Sequence, residues 1–200
     1  MIKQSIIENV LEAALSTGGD FSEVFIEDRF VNSIGLQDGK IEQSISGRDF
    51  GIGIRIFAGL QNVYTYTTDF SEEGLLKAAK RAALAISGGR NGTIHPLQKE
   101  IIQPIHHIDK WPKDISHSQR VAVMRQADSI ARNYDQRIHQ AGIRYLDEEQ
   151  NVLIANSEGK FVEDTRVRSR LAIQATASDG TEMQTGFYGP GAYAGFEFIE

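Results

Sequence analysis

Four histidines that lie within 23 positions of one another are the first residues to suggest chemistry. Zinc requires ligands at spacings that a helix or a hairpin can aim at one point, such as i and i+4. None of these histidines has such a spacing, and the adjacent pair would point to opposite sides of a strand. A polar connector is therefore the favoured interpretation, a metal site is the alternative, and we predict no metal ligand in this chain. The four are His95, His106, His107 and His117.

Grouped carboxylates are a second common source of catalysis. Glu72 and Glu73 lie where a helix is predicted to start, which the helix dipole favours, and residues 147–149 are three acids in a predicted turn. The segment Gly51-Ile52-Gly53 lacks the third glycine of a dinucleotide-binding loop, so we interpret both glycines as strand residues. We predict no catalytic residue in this chain.

An arginine-rich strand favours binding instead. Arg166, Arg168 and Arg170 alternate along a predicted strand, so three like charges share one face of a sheet. Such a face needs opposing carboxylates, a partner chain or an anionic ligand. Pairing with acids such as Glu163 or Glu182, or simple solvation, is the plainer alternative.

A segment rich in glycine and aromatic residues follows at 186–196. A mobile loop of this composition could line a binding surface, and a plain connector is the alternative. The residues predicted to bind a peptide or a partner are therefore Arg166, Arg168, Arg170, Phe187, Tyr188 and Tyr193.

The elements that must position these clusters follow from the period of the apolar residues. A period near 3.6 predicts helices over 3–17, from Asp69 or Ser71 to Gly88-Gly89, and over 118–134. The last of these helices is predicted to turn six residues inward: Val123, Met124, Ala127, Ile130, Ala131 and Tyr134.

A period of two indicates strands. Between Ser22 and Thr68 it predicts four short strands, with turns at 37–40, 46–49 and 58–59, and it returns over 143–188. Three of the four prolines lie in 90–115, which predicts an extended connector with an edge strand at Ile101-Ile102.

The two halves resemble each other, because each opens with a helix followed by strands that enclose an acidic-Gly-Lys turn. This order predicts an intertwined internal duplication, with pseudo-repeats at about 1–89 and 116–190 joined by the connector 90–115. The predicted fold class is α+β, with antiparallel or mixed sheets and helices packed on one side.

Composition excludes several classes of function. The 200 residues carry a net charge of −6, which disfavours nucleic acid, and no cysteine, which excludes disulfides and thiolate sites. No apolar run is long enough to span a membrane, and Glu8 and Glu12 interrupt the N-terminal apolar stretch, so a cytoplasmic protein is expected. The alternating apolar residues of 195–200 suggest a chain cut within a larger protein.

Four motifs in order resemble the N-terminal portion of the TldD/PmbA family. They are Leu36-Gln37-Asp38-Gly39-Lys40 with Ser46-Gly47-Arg48-Asp49-Phe50-Gly51-Ile52-Gly53, then Asp69-Phe70-Ser71-Glu72-Glu73-Gly74-Leu75, then Ala155-Asn156-Ser157-Glu158-Gly159 with Glu163-Asp164-Thr165-Arg166, and Gly195-Phe196-Glu197-Phe198. The third and fourth motifs are closer to the TldD branch. The resemblance extends over essentially the whole chain.

This resemblance implies the N-terminal, substrate-groove and assembly domain of a cytoplasmic zinc metallopeptidase that degrades small unfolded peptides. It also implies a homodimer, or a heterodimer with a PmbA (TldE)-type chain. The family's His-Glu-x-x-x-His zinc motif is absent here, because none of the five histidines is followed by glutamate. Zinc is thus implied for the full-length protein only, and the chain alone is expected to be inactive. A stand-alone, non-catalytic binding or dimerisation module is the alternative.

Overall fold

The computed structural model describes residues 2–86 and 92–200, so the predicted helix end at Gly88-Gly89 lies outside the described residues. The helices are α1 (Gln4–Leu15), α2 (Glu72–Ala83) and α3 (His117–Tyr134), and the strands are β1 (Phe21–Gln37), β2 (Lys40–Ala58), β3 (Gln61–Thr67), β4 (Gln98–Ile101), β5 (Ile138–Asn156), β6 (Lys160–Ser178), β7 (Met183–Tyr188) and β8 (Gly191–Ala192).

Hydrogen bonds join the strands in the order β3-β2-β1-β5-β6-β4, and β7 and β8 both pair with β6. The pairs β2–β3, β6–β7 and β6–β8 are antiparallel, whereas β4 runs parallel to β6. The predicted α+β class is therefore confirmed.

The chain divides into two compact units, each built from three separate segments. Unit 1 comprises 1–28, 49–103 and 151–165, and unit 2 comprises 29–48, 104–150 and 166–200. Four strands, β1, β2, β5 and β6, contribute residues to both units. The boundaries of the proposed pseudo-repeats stay a prediction.

Unit 1 buries the apolar faces of α1 and α2 against its strands. Ile52, Ile54 and Ile56 of β2 are fully buried there, and each contributes roughly 1.5–3 kcal/mol by leaving water. Ser71 begins α2 by accepting a hydrogen bond from the Gly74 backbone N–H, which selects it over Asp69 as the N-cap.

Gly51 and Gly53, the two glycines predicted to lie in a strand, belong to β2 and alternate with its buried isoleucines. The ring of Tyr66 lies over Gly51 and the ring of Tyr64 over Gly53, so closely that a Cβ at either glycine would overlap the ring. These glycines therefore allow two tyrosines of β3 to lie flat on the neighbouring strand.

Unit 2 places α3 over its own strands. Ser116 and Gln119 form a capping box at the start of α3, and Met124 is fully buried among strand residues. The prediction that Ile130 and Tyr134 point inward is wrong, because both side chains are mostly exposed. They belong to the same apolar face as Met124, but there they line an open groove rather than the closed core.

Three predicted turns and strands are corrected. The four short strands are two long ones, because residues 27–33 continue β1 and residues 46–49 continue β2 instead of turning. Gly47 does not adopt the positive φ found at Gly39 and Gly59, which do lie in turns. The polar residues of 46–49 reflect a strand that is exposed on both faces. The edge strand of the connector is β4, which begins three residues earlier than predicted.

Candidate functional site

The acids predicted to lie in a solvated turn instead belong to β5, and two of them are buried. Asp147 faces α3, where its Oδ2 accepts hydrogen bonds from Arg120 Nε at 2.8 Å and the Tyr145 hydroxyl at 2.6 Å. Its Oδ1 accepts from Asn32 Nδ2 at 2.7 Å. Burial first, and the hydrogen bond to Asp147 second, raise the pKa of Tyr145 above its ordinary range.

Glu148, the next residue, points to the other side of the strands, which we call the far face of unit 2. Its Oε2 accepts from Arg29 Nη2 at 2.6 Å, and its Oε1 accepts from Arg168 Nη1 at 2.6 Å. Arg168 thus has a carboxylate within the chain, but not one of the two acids that the sequence suggested.

An aromatic stack extends from Arg168 along the far face. Its guanidinium lies 4.9 Å from the ring centroid of Tyr193, and that ring stacks on His106 at 5.1 Å between centroids. The stack ties the glycine-rich segment to the connector.

Arg170 and Phe187 lie together on the same face. Arg170 Nε donates to the Gly189 carbonyl at 3.2 Å, and Phe187, opposite Gln174 in the β6–β7 register, approaches Gly189 closely. Strand alternation places Arg166 on this face too, in an exposed position. The structure therefore brings Arg168, Arg170, Phe187 and Tyr193 to one face.

Tyr188 is separated from the others, because it lies opposite Ile173 and faces α3. There it lines the α3 groove, a mostly apolar cavity of 580 Å³ that also includes Ile130, Tyr134 and Leu171. The apolar spacing of α3 does not reveal this groove, because the same spacing is typical of a helix face that is buried in a core.

The strand that carries Phe187 and Tyr188 has an open edge. All six residues of β7 are exposed, and within the described ranges β7 pairs only with β6. Such an edge offers backbone hydrogen-bonding groups to an added strand.

The described residues do not fit a zinc ion. No group of three or more His, Cys, Asp or Glu side chains in 2–86 and 92–200 could hold a metal. His106 is stacked on Tyr193, and His107 Nε2 lies 2.9 Å from Asp109. We therefore derive no catalytic step through a metal for these residues.

Two family models match this chain. The model for PmbA/TldA metallopeptidase domain 1 matches residues 22–86, and the model for the PmbA/TldA metallopeptidase central domain matches residues 110–200. Together they cover well over half of the chain, which belongs to the TldD/PmbA metallopeptidase family.

Curated relatives agree. A metalloprotease TldD homolog of Buchnera aphidicola is 23% identical over 180 residues, which are 90% of this chain and 37% of the relative. A metalloprotease of Methanothermobacter thermautotrophicus is 28% identical over 172 residues, 84% of this chain and 37% of the relative. The chain thus spans little more than a third of their length.

Solved structures share the fold. A candidate modulator of DNA gyrase from Bacteroides thetaiotaomicron superposes with a TM-score of 0.77 at 14% identity, covering 97% of this chain and 46% of that one. TldE from Thermococcus kodakarensis superposes with a TM-score of 0.70 at 14% identity, covering 94% of this chain and 43% of that one.

No helix in the described part of the chain is long and apolar enough to cross a membrane.

Proposed function

We propose that this chain is the substrate-groove and assembly domain of a cytoplasmic zinc metallopeptidase that degrades small unfolded peptides. The zinc and its ligands would lie elsewhere in the full-length protein, which would assemble as a homodimer or with a PmbA (TldE)-type chain. Nucleic acid and membranes are not proposed as partners.

The observation that carries the proposal is the open edge of β7 beside the far face. An extended peptide could add to this edge through backbone hydrogen bonds, while its side chains contact Phe187. Arg170, exposed next to Phe187, suits the terminal carboxylate of a short peptide. Backbone recognition would make binding tolerant of sequence, as degradation of unfolded peptides requires.

Peptide binding tests this. A fluorescein-labelled, unstructured octapeptide with a free carboxyl terminus should bind the chain by fluorescence anisotropy, and its amidated form should bind more weakly. F187A should weaken the binding of both peptides several-fold, because the contact with the ring is lost. R170Q should remove the preference for the free carboxylate.

Two variants serve as controls. L60A changes an exposed apolar side chain of unit 1, and R125Q removes an exposed charge of α3. Neither should alter binding. If F187A and R170Q bind both peptides as the wild type does, the far face is not the peptide site.

The alternative is a stand-alone binding or dimerisation module that has no catalytic half. Both functions are compatible with an open strand edge, and the reading frame beyond codon 200 distinguishes them. A His-Glu-x-x-x-His motif encoded there supports the peptidase, and a stop codon supports the module.

A further inference from the structure

The α3 groove lies directly beside the open edge of β7. Its residues all belong to unit 2, and Gly186 and Tyr188 of β7, the strand with the open edge, form one of its walls. On the opposite wall, the side chains of Ile130 and Tyr134 are mostly exposed. Large apolar side chains left exposed around a cavity are typical of binding sites. The groove is thus suited to an apolar group that is not part of its own walls.

The backbone of β7 shows which of its residues a peptide would pair with. At one end of the β6–β7 pairing, the Leu171 N–H donates to the Pro190 carbonyl at 3.3 Å, and at the other end the Asp179 N–H donates to the Glu182 carbonyl at 3.3 Å. Because hydrogen-bonded pairs alternate along antiparallel strands, the even-numbered residues of β7 bond to β6. The backbone groups of the odd-numbered residues, such as Phe187, therefore point away from β6 to the open edge.

We propose that the α3 groove receives one side chain of the peptide strand bound at the β7 edge, and that it selects peptides with a large aliphatic or aromatic residue at that position. This inference rests on the peptide site proposed above and adds its specificity. In an antiparallel peptide strand paired with Phe187 and Thr185, the intervening peptide residue lies opposite Gly186. Its side chain points to the side of the sheet that Tyr188 also faces, which is the side of α3.

Gly186 leaves the space that this side chain requires. A Cβ at Gly186 would meet no atom within 4 Å, so the surface of β7 is open there. Because the backbone of Gly186 bonds to β6, its pair with the peptide residue is of the non-hydrogen-bonded kind, in which facing side chains approach most closely. A large peptide side chain is therefore unobstructed at this position, and it can extend across Gly186 toward Ile130.

The electrostatics of the groove favour an uncharged side chain. Among the described residues that line the groove, only Glu200 carries a charge, and its carboxylate already pairs with Lys110. A charged peptide side chain would lose water without gaining a partner, and an aspartate would in addition be repelled by Glu200. An apolar side chain instead removes the surfaces of Ile130 and Tyr134 from water.

A guest residue in the test peptide measures this preference. The fluorescein-labelled octapeptide is made from serine, threonine and asparagine with one central guest, which is leucine, phenylalanine, serine or aspartate. In fluorescence anisotropy, the leucine and phenylalanine peptides should bind the chain roughly tenfold more tightly than the serine peptide, because burial of such a side chain stabilises the complex. The aspartate peptide should bind most weakly of the four.

Two variants locate the preference. G186V fills the open space on β7 and I130S removes an apolar part of the α3 wall, so each should reduce the difference between the leucine and serine peptides to about threefold or less. Q184V is the matched control, because Gln184 lies on the same face of β7 but does not line the groove, and it should keep the full preference. Far-UV circular dichroism should show that all three variants remain folded.

The outcomes separate this inference from the peptide site itself. F187A should weaken the leucine and serine peptides by the same factor, because Phe187 contacts the peptide from the far face. If F187A weakens binding but the leucine and serine peptides bind the wild type equally, the specificity is overturned and the site at β7 stands. If no peptide binds, both proposals fail.

Two further results would also contradict the inference. A preference for leucine that survives both G186V and I130S arises at another surface. A change in the sedimentation coefficient of the peptide-free chain on I130S substitution would show that a second copy covers the groove instead.

Discussion

Among residues, Glu148 determines which of the predicted binding arginines can be changed without loss of stability. Because it contacts Arg168 and is itself buried, R168E would place two carboxylates together. We expect R168E to lower the free energy of unfolding by about 1–2 kcal/mol. This loss is smaller than that for a fully buried ion pair, because Arg168 is 37% exposed and solvent screens its charge. Urea denaturation measures this loss.

R170E is the matched comparison, because Arg170 alternates on the same strand but contacts a backbone carbonyl. Its stability should stay within about 0.5 kcal/mol of the wild type. If R170E loses as much stability as R168E, the pairing with Glu148 is not the reason for the loss.

These residues also show why the sequence led to a wrong interpretation of the acids. Three consecutive acids usually mark a solvated turn, and buried acids look the same in a sequence. What distinguishes Asp147 and Glu148 is their partners, such as Arg120 and Arg29, which lie 27 and 119 positions away. Such pairings depend on strand order, which local patterns do not contain.

Among elements, the hairpin turn between β1 and β2 is tied to α3 by charge. Asp38 accepts a hydrogen bond from the Ala141 backbone N–H at 3.1 Å and pairs with Arg132. The backbone hydrogen bond first, and Arg132 second, hold the pKa of Asp38 below its ordinary value. The charged form is therefore favoured by folding.

This lowered pKa predicts a pH dependence. The stabilisation by Asp38 should be present at neutral pH and should be lost as the pH falls through the lowered pKa of the folded state. Wild type and D38N should therefore differ in urea denaturation at pH 7 and converge in strongly acidic solution. An equal difference at both pH values would contradict this assignment.

The helices and true turns were predictable, because their signals are local. Apolar spacing marked α1, Ser71 marked the start of α2, and the turns at Gly39 and Gly59 carry the required positive φ. Ile130 and residues 46–49 were misinterpreted because exposure depends on what lies above an element. An apolar face predicts burial only where another element covers it.

In the whole molecule, the net charge of −6 is confined to unit 1, since the charges of unit 2 balance. The proposed peptide surface lies in the neutral unit. The chain crosses between the two units five times, four times within the shared strands β1, β2, β5 and β6 and once in the connector.

We therefore expect the chain to unfold in one cooperative transition, because four strands cannot melt in one unit without losing their ends in the other. Near-UV and far-UV circular dichroism should give the same midpoint in a urea titration. Two separated midpoints would show that the units unfold independently.

The segmented chain path also limits how such a domain can be inherited. Each unit draws on three stretches of the gene, so no single recombination point separates one unit from the other. A gene fusion can therefore acquire both units or neither. Lineages would be expected to exchange this region as a block, while each unit diverges in place.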